Sequence, residues 1–312
     1  MAEPLISVVV AQRNSARTIV KCLDSLLSQD HPAFEVIVID DASTDGTLAL
    51  LDGYAGRVKI IRSASREGPS IARNKGAAAA RGQTVAFTDG DCVADKSWLS
   101  QLARGLTAEN IAGAGGMQET AEDEQPFGRL VSRFFYKLAF ATEYCHNRSG
   151  GLREVNHNPS CNVIYRRDVF LSAGGFCPGL WPGEDVELDY RLRKQGYRLM
   201  FNPAAKVYHY RAGGFRSFCR MMLRYGWAQG VLARKYGLTR KIQLLPVLVI
   251  LFLFFSAFAP AVAGIVALVF LFTAFISSGL DAGFTVIILP AVFFWNLGFI
   301  RGFSGWRKVF PV

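Results

Sequence analysis

The stretch TVAFTDGD, residues 84–91, decides the fold. Its first five residues are a short apolar run with β-branched side chains, which is typical of a buried parallel strand. Two similar runs precede it, ISVVVA at residues 6–11 and EVIVID at residues 35–40. The intervening segments predict one further strand, at 58–61, and three helices, at 15–29, 47–54 and 69–80. Strands that alternate with helices indicate βαβ units and a parallel sheet.

The residues that directly follow these strands are candidates for chemistry, because open α/β sheets bind ligands beyond the carboxyl ends of their strands. Arg13 follows the first strand, Asp40 ends the second and Asp41 follows it, and Asp89 and Asp91 follow the fourth. Two carboxylates on either side of a glycine repel each other unless a cation lies between them. Carboxylate oxygens suit Mg²⁺ or Mn²⁺, which can bridge a diphosphate. An isolated D-G-D, however, is most often only a turn or a strand end.

Beyond residue 97 the pattern changes to α+β. Strands are predicted near 111–118 and 161–166, and helices at 96–106 and near 126–143 and 184–195. The last of these helices starts in a second acidic cluster, WPGED at residues 181–185.

Two further motifs accompany the D-G-D. The segment DDASTDGT, residues 40–47, follows the second strand, and GPSIARNKG, residues 68–76, opens the helix before the D-G-D strand. In this order and spacing, over about residues 5–240, the sequence resembles the family 2 glycosyltransferases of GT-A fold. The resemblance implies a mostly parallel central sheet flanked by helices, and a nucleotide-diphosphate sugar as the donor.

The resemblance also implies roles for the residues on the donor side. Arg13, Asp41, Arg73 and Asp89 would contact the nucleotide sugar, with Asp41 and Arg73 near the base or ribose. Asp91 would be the direct ligand of a divalent metal, Mg²⁺ or Mn²⁺, with Asp89 beside it. Two alternatives stay open, because Asp40 or Asp41 could cap a helix and Arg73 could form a surface ion pair.

On the acceptor side, the resemblance makes Asp185 the base that takes the proton of the acceptor hydroxyl in an inverting transfer. Glu184 would support that base or contact the acceptor. Trp181 could pack on a sugar face or fill the core, and His209 could complete the metal site or be structural. The segment NPSCN, residues 158–162, resembles the acceptor side of the family without a role for any one residue. An acidic first turn that suits the helix dipole is the simpler explanation of Glu184 and Asp185.

The C-terminal part of the chain has a different composition. Between residues 242 and 300 the only charged residue is Asp281. Three apolar stretches, 244–259, 261–278 and 284–300, are close to the lower limit of the roughly 20 residues that cross a bilayer. We therefore expect a catalytic domain at 1–214, a basic interfacial helix at 215–241, two to three membrane helices within 242–303 and a short basic tail at 304–312. A buried apolar hairpin is the alternative, but it would leave no polar face for water.

Basic residues recur at helical spacing in two segments. Arg129, Arg133 and Lys137 share one helical face, and so do Arg216, Arg220 and Arg224. Either set could be a solvated face, but the second lies just before the apolar tail and favours contact with anionic lipid. The formal net charge of +10 also suits phosphorylated small molecules. No recognition motif supports binding to nucleic acid.

The six cysteines form no CxxC pair, and no secretory signal is visible. Both observations favour a cytoplasmic catalytic domain, and the apolar tail favours an integral membrane protein. The Q-x-x-R-W signature of processive synthases is missing, since the chain has LRYGW at residues 223–227. Single transfer to a lipid-linked or polyprenyl-type acceptor is therefore the favoured function. The alternatives are a processive polysaccharide synthase or export-system subunit, and an inactive membrane scaffold.

Overall fold

The structure, a computed structural model, describes residues 4–138, 150–211, 213–277, 279 and 281–305. These residues form two compact units. The first contains residues 4–123 and 150–210, and the second contains residues 124–138 and the described part of 211–305. Cys145, Arg307, Lys308 and most of the predicted basic tail lie outside the described residues.

The first unit is built on one mixed sheet of nine strands. The strands are β1 (Ile6–Gln12), β2 (Phe34–Asp40), β3 (Lys59–Arg62), β4 (Thr84–Asp89), β5 (Cys92–Ala94), β6 (Ile111–Thr120), β7 (Arg153–Val155), β8 (Val163–Arg166) and β9 (Arg198–His209). They are arranged in the order β3-β2-β1-β4-β8-β6-β9-β5, and β7 pairs with β9. The first four strands in this order, β3, β2, β1 and β4, pair in parallel, as the sequence predicts.

The helices of the described chain are α1 (Ile19–Leu27), α2 (Thr47–Asp52), α3 (Pro69–Ala79), α4 (Trp98–Ala103), α5 (Pro126–Lys137), α6 (Arg167–Ser172), α7 (Glu184–Lys194), α8 (Phe215–Tyr236), α9 (Leu245–Phe258), α10 (Pro260–Ser277) and α11 (Ala282–Phe303). A short 3₁₀ turn, Lys241–Leu244, precedes α9. The first unit holds α1–α4, α6 and α7, and the second unit holds the rest.

Both faces of the sheet are buried. Val8 and Val10 of β1 belong to one apolar cluster, which includes Leu23 of α1 and Trp98 of α4. Val9 of β1 belongs to a second cluster on the opposite face. Successive side chains of a strand point to opposite faces, so a strand covered on both sides must be apolar at every position. This explains the unbroken runs in the sequence.

In the second unit, α8 and α11 pack so closely that glycines of each helix lie against the backbone of the other. A Cβ atom on Gly226 would lie 1.8 Å from the carbonyl oxygen of Trp295, and one on Gly298 would lie 2.0 Å from that of Leu223. Gly230 and Gly302 make equally close approaches, to Phe299 and Trp227. Each helix thus carries two glycines four residues apart at the contact, a pattern that brings helix backbones together.

The lone acid of the apolar tail has basic partners in the same unit. The Asp281 carboxylate, at the start of α11, lies 3.5 Å from Arg133 Nε and 3.6 Å from Lys137 Nζ. Two members of the first basic set therefore form ion pairs. In the second set, Arg216 and Arg220 are exposed, whereas Arg224 is half-buried.

Two segments are long and apolar enough to cross a membrane, Lys241–Phe258 and Ala282–Phe303. They differ in burial, because 11% of the first and 44% of the second is buried within the structure. Large apolar side chains of α9 and α10 are mostly exposed, among them Leu253, Phe258, Leu268 and Phe272.

Candidate active site

Parallel pairing brings the acidic ends of two strands to one edge of the sheet. In the register of β1, Gln12 lies beside Asp40 of β2, and Ala11 lies beside Asp89 of β4. The Gln12 amide donates to the Asp40 carboxylate, which also accepts from the backbone N–H of Ser43 at 3.1 Å. These contacts fix the end of β2 to the end of β1, which in turn lies beside the D-G-D strand.

Gly90 is required where it stands. A Cβ atom there would lie 2.8 Å from Cβ of Gln12 and 3.0 Å from Oγ of Ser15. The Gly90 carbonyl accepts a 2.8 Å hydrogen bond from Thr18 Oγ1, at the start of α1. The small residue thus lets the D-G-D loop lie directly on the end of β1, with one carboxylate on each side of it.

Asp91 and His209 are neighbours, as the metal hypothesis requires. The backbone N–H of Tyr210 donates to the Asp91 carbonyl at 3.0 Å, and Cys92 pairs with His209 across β5 and β9. His209 Nε2 lies 3.4 Å from Asp91 Oδ1. The Asp91 side chain is 45% exposed, so that a ligand can reach it.

The second ring nitrogen of His209 is also engaged. Nδ1 lies 3.3 Å from Oε1 of Gln118. When Nδ1–H donates to that amide oxygen, the lone pair of Nε2 faces Asp91, which is the tautomer that a metal ligand needs. Asp91 and His209 therefore fit a divalent cation.

Arg73 lies at the centre of the acidic residues. Its Nη2 donates to Asp89 Oδ1 at 2.6 Å, and its Nη1 donates to Glu184 Oε1 at 2.7 Å. Burial opposes the charge, yet the two carboxylates hold the pKa of Arg73 above its ordinary value. Because its side chain is only 3% exposed, Arg73 is not a surface ion pair. Its contact with a donor base stays a prediction.

Glu184 is a buried carboxyl group with two protein partners. Besides Arg73, it accepts from Ser160 Oγ at 3.1 Å. Burial and the neighbouring Asp185 raise the pKa of Glu184 to about 8, although Arg73 acts in the opposite direction. At 2% exposure, Glu184 suits the supporting role better than contact with an acceptor.

Asp185 is held by backbone and stays partly open. Its Oδ2 accepts from the N–H of Ser160 at 3.1 Å, and its Oδ1 accepts from that of Val186 at 2.8 Å. The side chain is 13% exposed. Gly183 precedes the helix at its N-cap position and has no side chain to cap it. Asp185 can therefore receive a proton while its orientation is fixed.

A buried chain of polar groups lies behind Asp185. His157 Nε2 lies 4.0 Å from Asp185 Oδ2, and His157 Nδ1 lies 3.0 Å from Oδ2 of Asp189. Tyr165 Oη donates to Asp189 Oδ1 at 2.7 Å, and burial raises the pKa of Asp189. Sequence reasoning missed His157 and Asp189. The spacing of Asp185 and Asp189, one helical turn apart in α7, is the signal that could have indicated a shared face.

Asp41 joins the end of β2 to the start of α3. Its carboxylate accepts from the N–H groups of Glu67 and Gly68, at 2.7 and 2.9 Å. It does not cap α2, where Asp45 accepts from the N–H of Thr47 at 3.0 Å. The predicted contact of Asp41 with a nucleotide stays a prediction.

Two predicted residues lie at the margins of the site. Arg13 is half-buried after β1, and its Nε is buried without a hydrogen-bond partner among the residues that the structure describes. Trp181 is half-buried and lies two residues before Gly183. The predicted contacts of Arg13 with the donor and of Trp181 with the acceptor stay predictions.

Two thiols lie directly behind His209. Cys92 and Cys161 are both buried, and Cys161 Sγ lies 3.9 Å from His209 Nδ1. A hydrogen bond with Cys92 lowers the pKa of the Cys161 thiol, whereas burial raises that of Cys92. No spacing in the sequence indicates this cluster, because its three members come from distant segments.

Residues 7–174 match the sequence model of glycosyl transferase family 2. Glycosyltransferase AglE of Haloferax volcanii is 29% identical over 203 residues, which cover 64% of this chain and 64% of that protein. The pre-mycofactocin glycosyltransferase of Mycobacterium tuberculosis is 27% identical over 238 residues, 74% of this chain and 48% of that protein. The chain thus spans about half to two thirds of these relatives.

Among solved structures, the fold is similar to that of the mannosyltransferase PcManGT from Pyrobaculum calidifontis, determined in complex with GDP-Man and Mn²⁺. The TM-score is 0.68 at 18% identity, over 98% of this chain and 88% of that one. The similarity confirms the GT-A fold that the sequence predicts.

Proposed function

Because the chain belongs to glycosyl transferase family 2, we propose that it is a membrane-bound, metal-dependent glycosyltransferase that inverts the anomeric centre of a nucleotide-sugar donor. The observation that carries this proposal is the position of Arg73, which joins Asp89 on the donor side to Glu184 beside Asp185. One buried cation thus connects the candidate metal site to the candidate base.

A divalent metal fits the donor side. Asp91 and His209 would hold it, and the Asp89 carboxylate lies on the other side of Gly90. The bound metal would neutralise the charge that develops on the leaving diphosphate. Carboxylate together with imidazole suits Mn²⁺ better than Mg²⁺, which prefers oxygen ligands throughout. PcManGT, which has the same fold, was solved with Mn²⁺ and a nucleotide sugar.

The acceptor side supplies the base. Asp185 would accept the proton of an acceptor hydroxyl as its oxygen attacks the anomeric carbon, and the bond from that carbon to the diphosphate breaks on the opposite face. The two backbone N–H groups that donate to Asp185 fix the orientation of its carboxylate, which supports this role. Direct displacement inverts the configuration.

The acceptor is proposed to be a lipid-linked saccharide or a polyprenyl-type lipid. Support comes from the exposed apolar side chains of α9 and α10, such as Phe258, which is 75% exposed. Such a surface is stable in lipid and not in water. An acceptor that is itself in the membrane would then be concentrated at the enzyme. We further propose that the catalytic unit faces the cytoplasm, since its cysteines Cys22, Cys92 and Cys161 are free thiols, as a reducing compartment favours.

The test is transfer by the full chain in lipid vesicles, with a panel of nucleotide-diphosphate sugars and lipid-linked acceptors, with Mn²⁺, with Mg²⁺ or with excess EDTA. The expected result is metal-dependent transfer with an inverted anomeric product. Transfer with retained configuration, or undiminished transfer in EDTA, would contradict the proposal. Donor hydrolysis without any transfer across the panel would contradict the class of acceptor.

A further inference from the structure

Two thiols and an imidazole converge behind the candidate metal site. Ligand atoms of Cys92, Cys161 and His209 all lie within 4.8 Å of one another. Cys92 is 1% exposed and Cys161 is 5% exposed. The proposed transfer uses neither thiol.

The spacing of these atoms suits a soft cation. In a tetrahedral zinc site, bonds of about 2.3 Å to sulfur and about 2.0 Å to nitrogen place neighbouring ligand atoms roughly 3.5–3.8 Å apart. The observed Sγ–Nδ1 distance between Cys161 and His209 is 3.9 Å. Since all three ligand atoms lie within 4.8 Å of one another, their separations would have to shorten by about 1 Å or less to enclose a metal. Thiolates select such metals over Mg²⁺ and Mn²⁺.

We propose that Cys92, Cys161 and Nδ1 of His209 form a second metal site, for a thiophilic divalent cation such as Zn²⁺, and that its occupation blocks the first. Binding forms two metal–sulfur bonds and one metal–nitrogen bond, and the two thiol protons are released to solvent. Asp91 lies on the open side of the cluster, with its Oδ1 3.9 Å from Cys92 Sγ.

The blocking follows from the tautomers of His209. With Nδ1–H directed to Gln118, the lone pair of Nε2 faces Asp91 and can hold a cation there. A soft metal on Nδ1 takes the lone pair of that nitrogen, and the ring proton moves to Nε2. Nε2–H then donates to Asp91 at the present 3.4 Å separation. A neutral imidazole has only one free lone pair, so the two cations exclude each other at His209.

The inhibitory consequence rests on the proposed function, whereas binding itself does not. The two parts are therefore measured separately. Binding is measured by titrating the metal-free full chain in detergent with Co²⁺, which reports thiolate ligands through a charge-transfer band in the near ultraviolet. Zn²⁺ then competes for the same band, and proton release is followed in weak buffer.

The decisive variants are Cys92→Ser and Cys161→Ser, with Cys177→Ser as the matched control, because Cys177 is a free and partly exposed cysteine away from the cluster. We expect the Co²⁺ band and about two protons released per metal in the parent and the control. Each cluster variant should weaken Zn²⁺ binding by more than about 100-fold, since even outer-shell changes cost 10–100-fold. Zinc inhibition of Mn²⁺-dependent donor hydrolysis should disappear in both cluster variants, which keep their activity without zinc.

If the parent chain shows no Co²⁺–thiolate charge-transfer band, the proposal is overturned, whatever the variants do. Zinc inhibition that persists unchanged in both folded serine variants would overturn the blocking mechanism. If instead the chain shows the band but no metal-dependent hydrolysis, the proposed function fails and the thiolate site stands.

Discussion

Arg73 Nη1 lies 2.7 Å from Glu184 Oε1, although the two residues are 111 positions apart in the chain. The pair joins α3 to the start of α7 and thereby couples the two halves of the candidate site. Since burying a charge is costly unless it is paired and hydrogen-bonded, this contact makes the site sensitive to changes of a single partner.

The first prediction concerns the raised pKa of Glu184. Burial and Asp185 raise the pKa of Glu184 in the folded chain above the ordinary value near 4.5, to about 8. The unfolded chain therefore binds fewer protons between these values, and the free energy of unfolding of the first unit falls as the pH rises through this window. Glu184→Gln should flatten that slope in chemical unfolding at a series of pH values. Glu154→Gln, an exposed glutamate paired with Arg198, should leave it unchanged, and equal slopes in all three proteins would refute the assignment.

The second prediction concerns the metal. Asp91→Asn should lower Mn²⁺ affinity and abolish metal-dependent transfer while the fold is kept, because the variant replaces a carboxylate ligand with a neutral amide. Mn²⁺ binding is measured by electron paramagnetic resonance, and the fold by circular dichroism. Asp52→Asn, which changes an exposed carboxylate paired with Arg62, is the control. Parent-like Mn²⁺ binding by Asp91→Asn would remove Asp91 from the site.

The third prediction distinguishes two roles of Asp185, as the catalytic base or as an acid that only stabilises the start of α7. Asp185→Asn should keep donor affinity and lower turnover by about 10²–10⁴, the usual share of general-base catalysis. Asp168 provides a close match, since its Oδ1 accepts from the next N–H at 2.8 Å at the start of α6, as that of Asp185 does in α7. Asp168→Asn should leave turnover unchanged. Normal turnover by Asp185→Asn would leave Asp185 with only the structural role.

The fourth prediction tests the close packing of α8 and α11. Gly298→Leu would force side-chain atoms onto the backbone of Leu223, and overpacking of this kind costs about 1–3 kcal/mol or more. We expect a lower thermal unfolding temperature in detergent and faster proteolysis of the second unit. Gly264→Leu is the control, because nothing lies within 4 Å of a Cβ atom at that position of α10. Equal stability of the two variants would show that the helices are not in contact in solution.

The fifth prediction concerns the exposed arginines of α8. Each basic residue near an anionic leaflet contributes about 1 kcal/mol. The double variant Arg216→Gln, Arg220→Gln should lower transfer to a lipid acceptor in anionic vesicles, while donor hydrolysis and membrane attachment persist. Arg193→Gln with Lys194→Gln, two exposed positions of α7, is the control. Equal loss of transfer and hydrolysis would instead indicate damage to the donor site.

The sequence was sufficient for the parts of the fold that obey local rules. Buried parallel strands must be apolar throughout, so β1, β2 and β4 could be predicted, and with them the shared edge that brings Asp40 close to Asp89. The family resemblance added Asp185 and His209, whose positions near the edge depend on strands and helices far along the chain.

Other features depend on tertiary contacts that produce no periodic pattern in the sequence. The burial of Arg73 between two carboxylates, the chain from His157 to Asp189, and the thiols behind His209 each join residues from distant segments. The ion pairs of Asp281 belong to the same class. Its position as the single acid of the apolar tail marked it as unusual, but its partners on α5 could not be deduced from spacing.

The glycine contacts of α8 and α11 also fix the direction of the two helices. Gly226 meets Trp295 and Gly230 meets Phe299, so residue numbers rise together along both helices and the pair is parallel. If both helices crossed a bilayer in the same direction, residues 237–281 between them would have to cross it an odd number of times. A hairpin of α9 and α10 crosses it twice. With such a hairpin, α8 and α11 cannot both cross the bilayer and would lie along its surface.

The charges on α8 favour the surface arrangement. Arg220 and Arg224 lie inside α8 rather than at its ends, and Arg220 is exposed, which is costly in hydrocarbon. If the chain is bound to a membrane as proposed, we expect the parallel pair to lie at the headgroup level while α9 and α10 enter the bilayer and return to the same side. Arg301 would then lie on the same side of the membrane as the start of α8, in agreement with the positive-inside tendency, which three separate crossings would contradict.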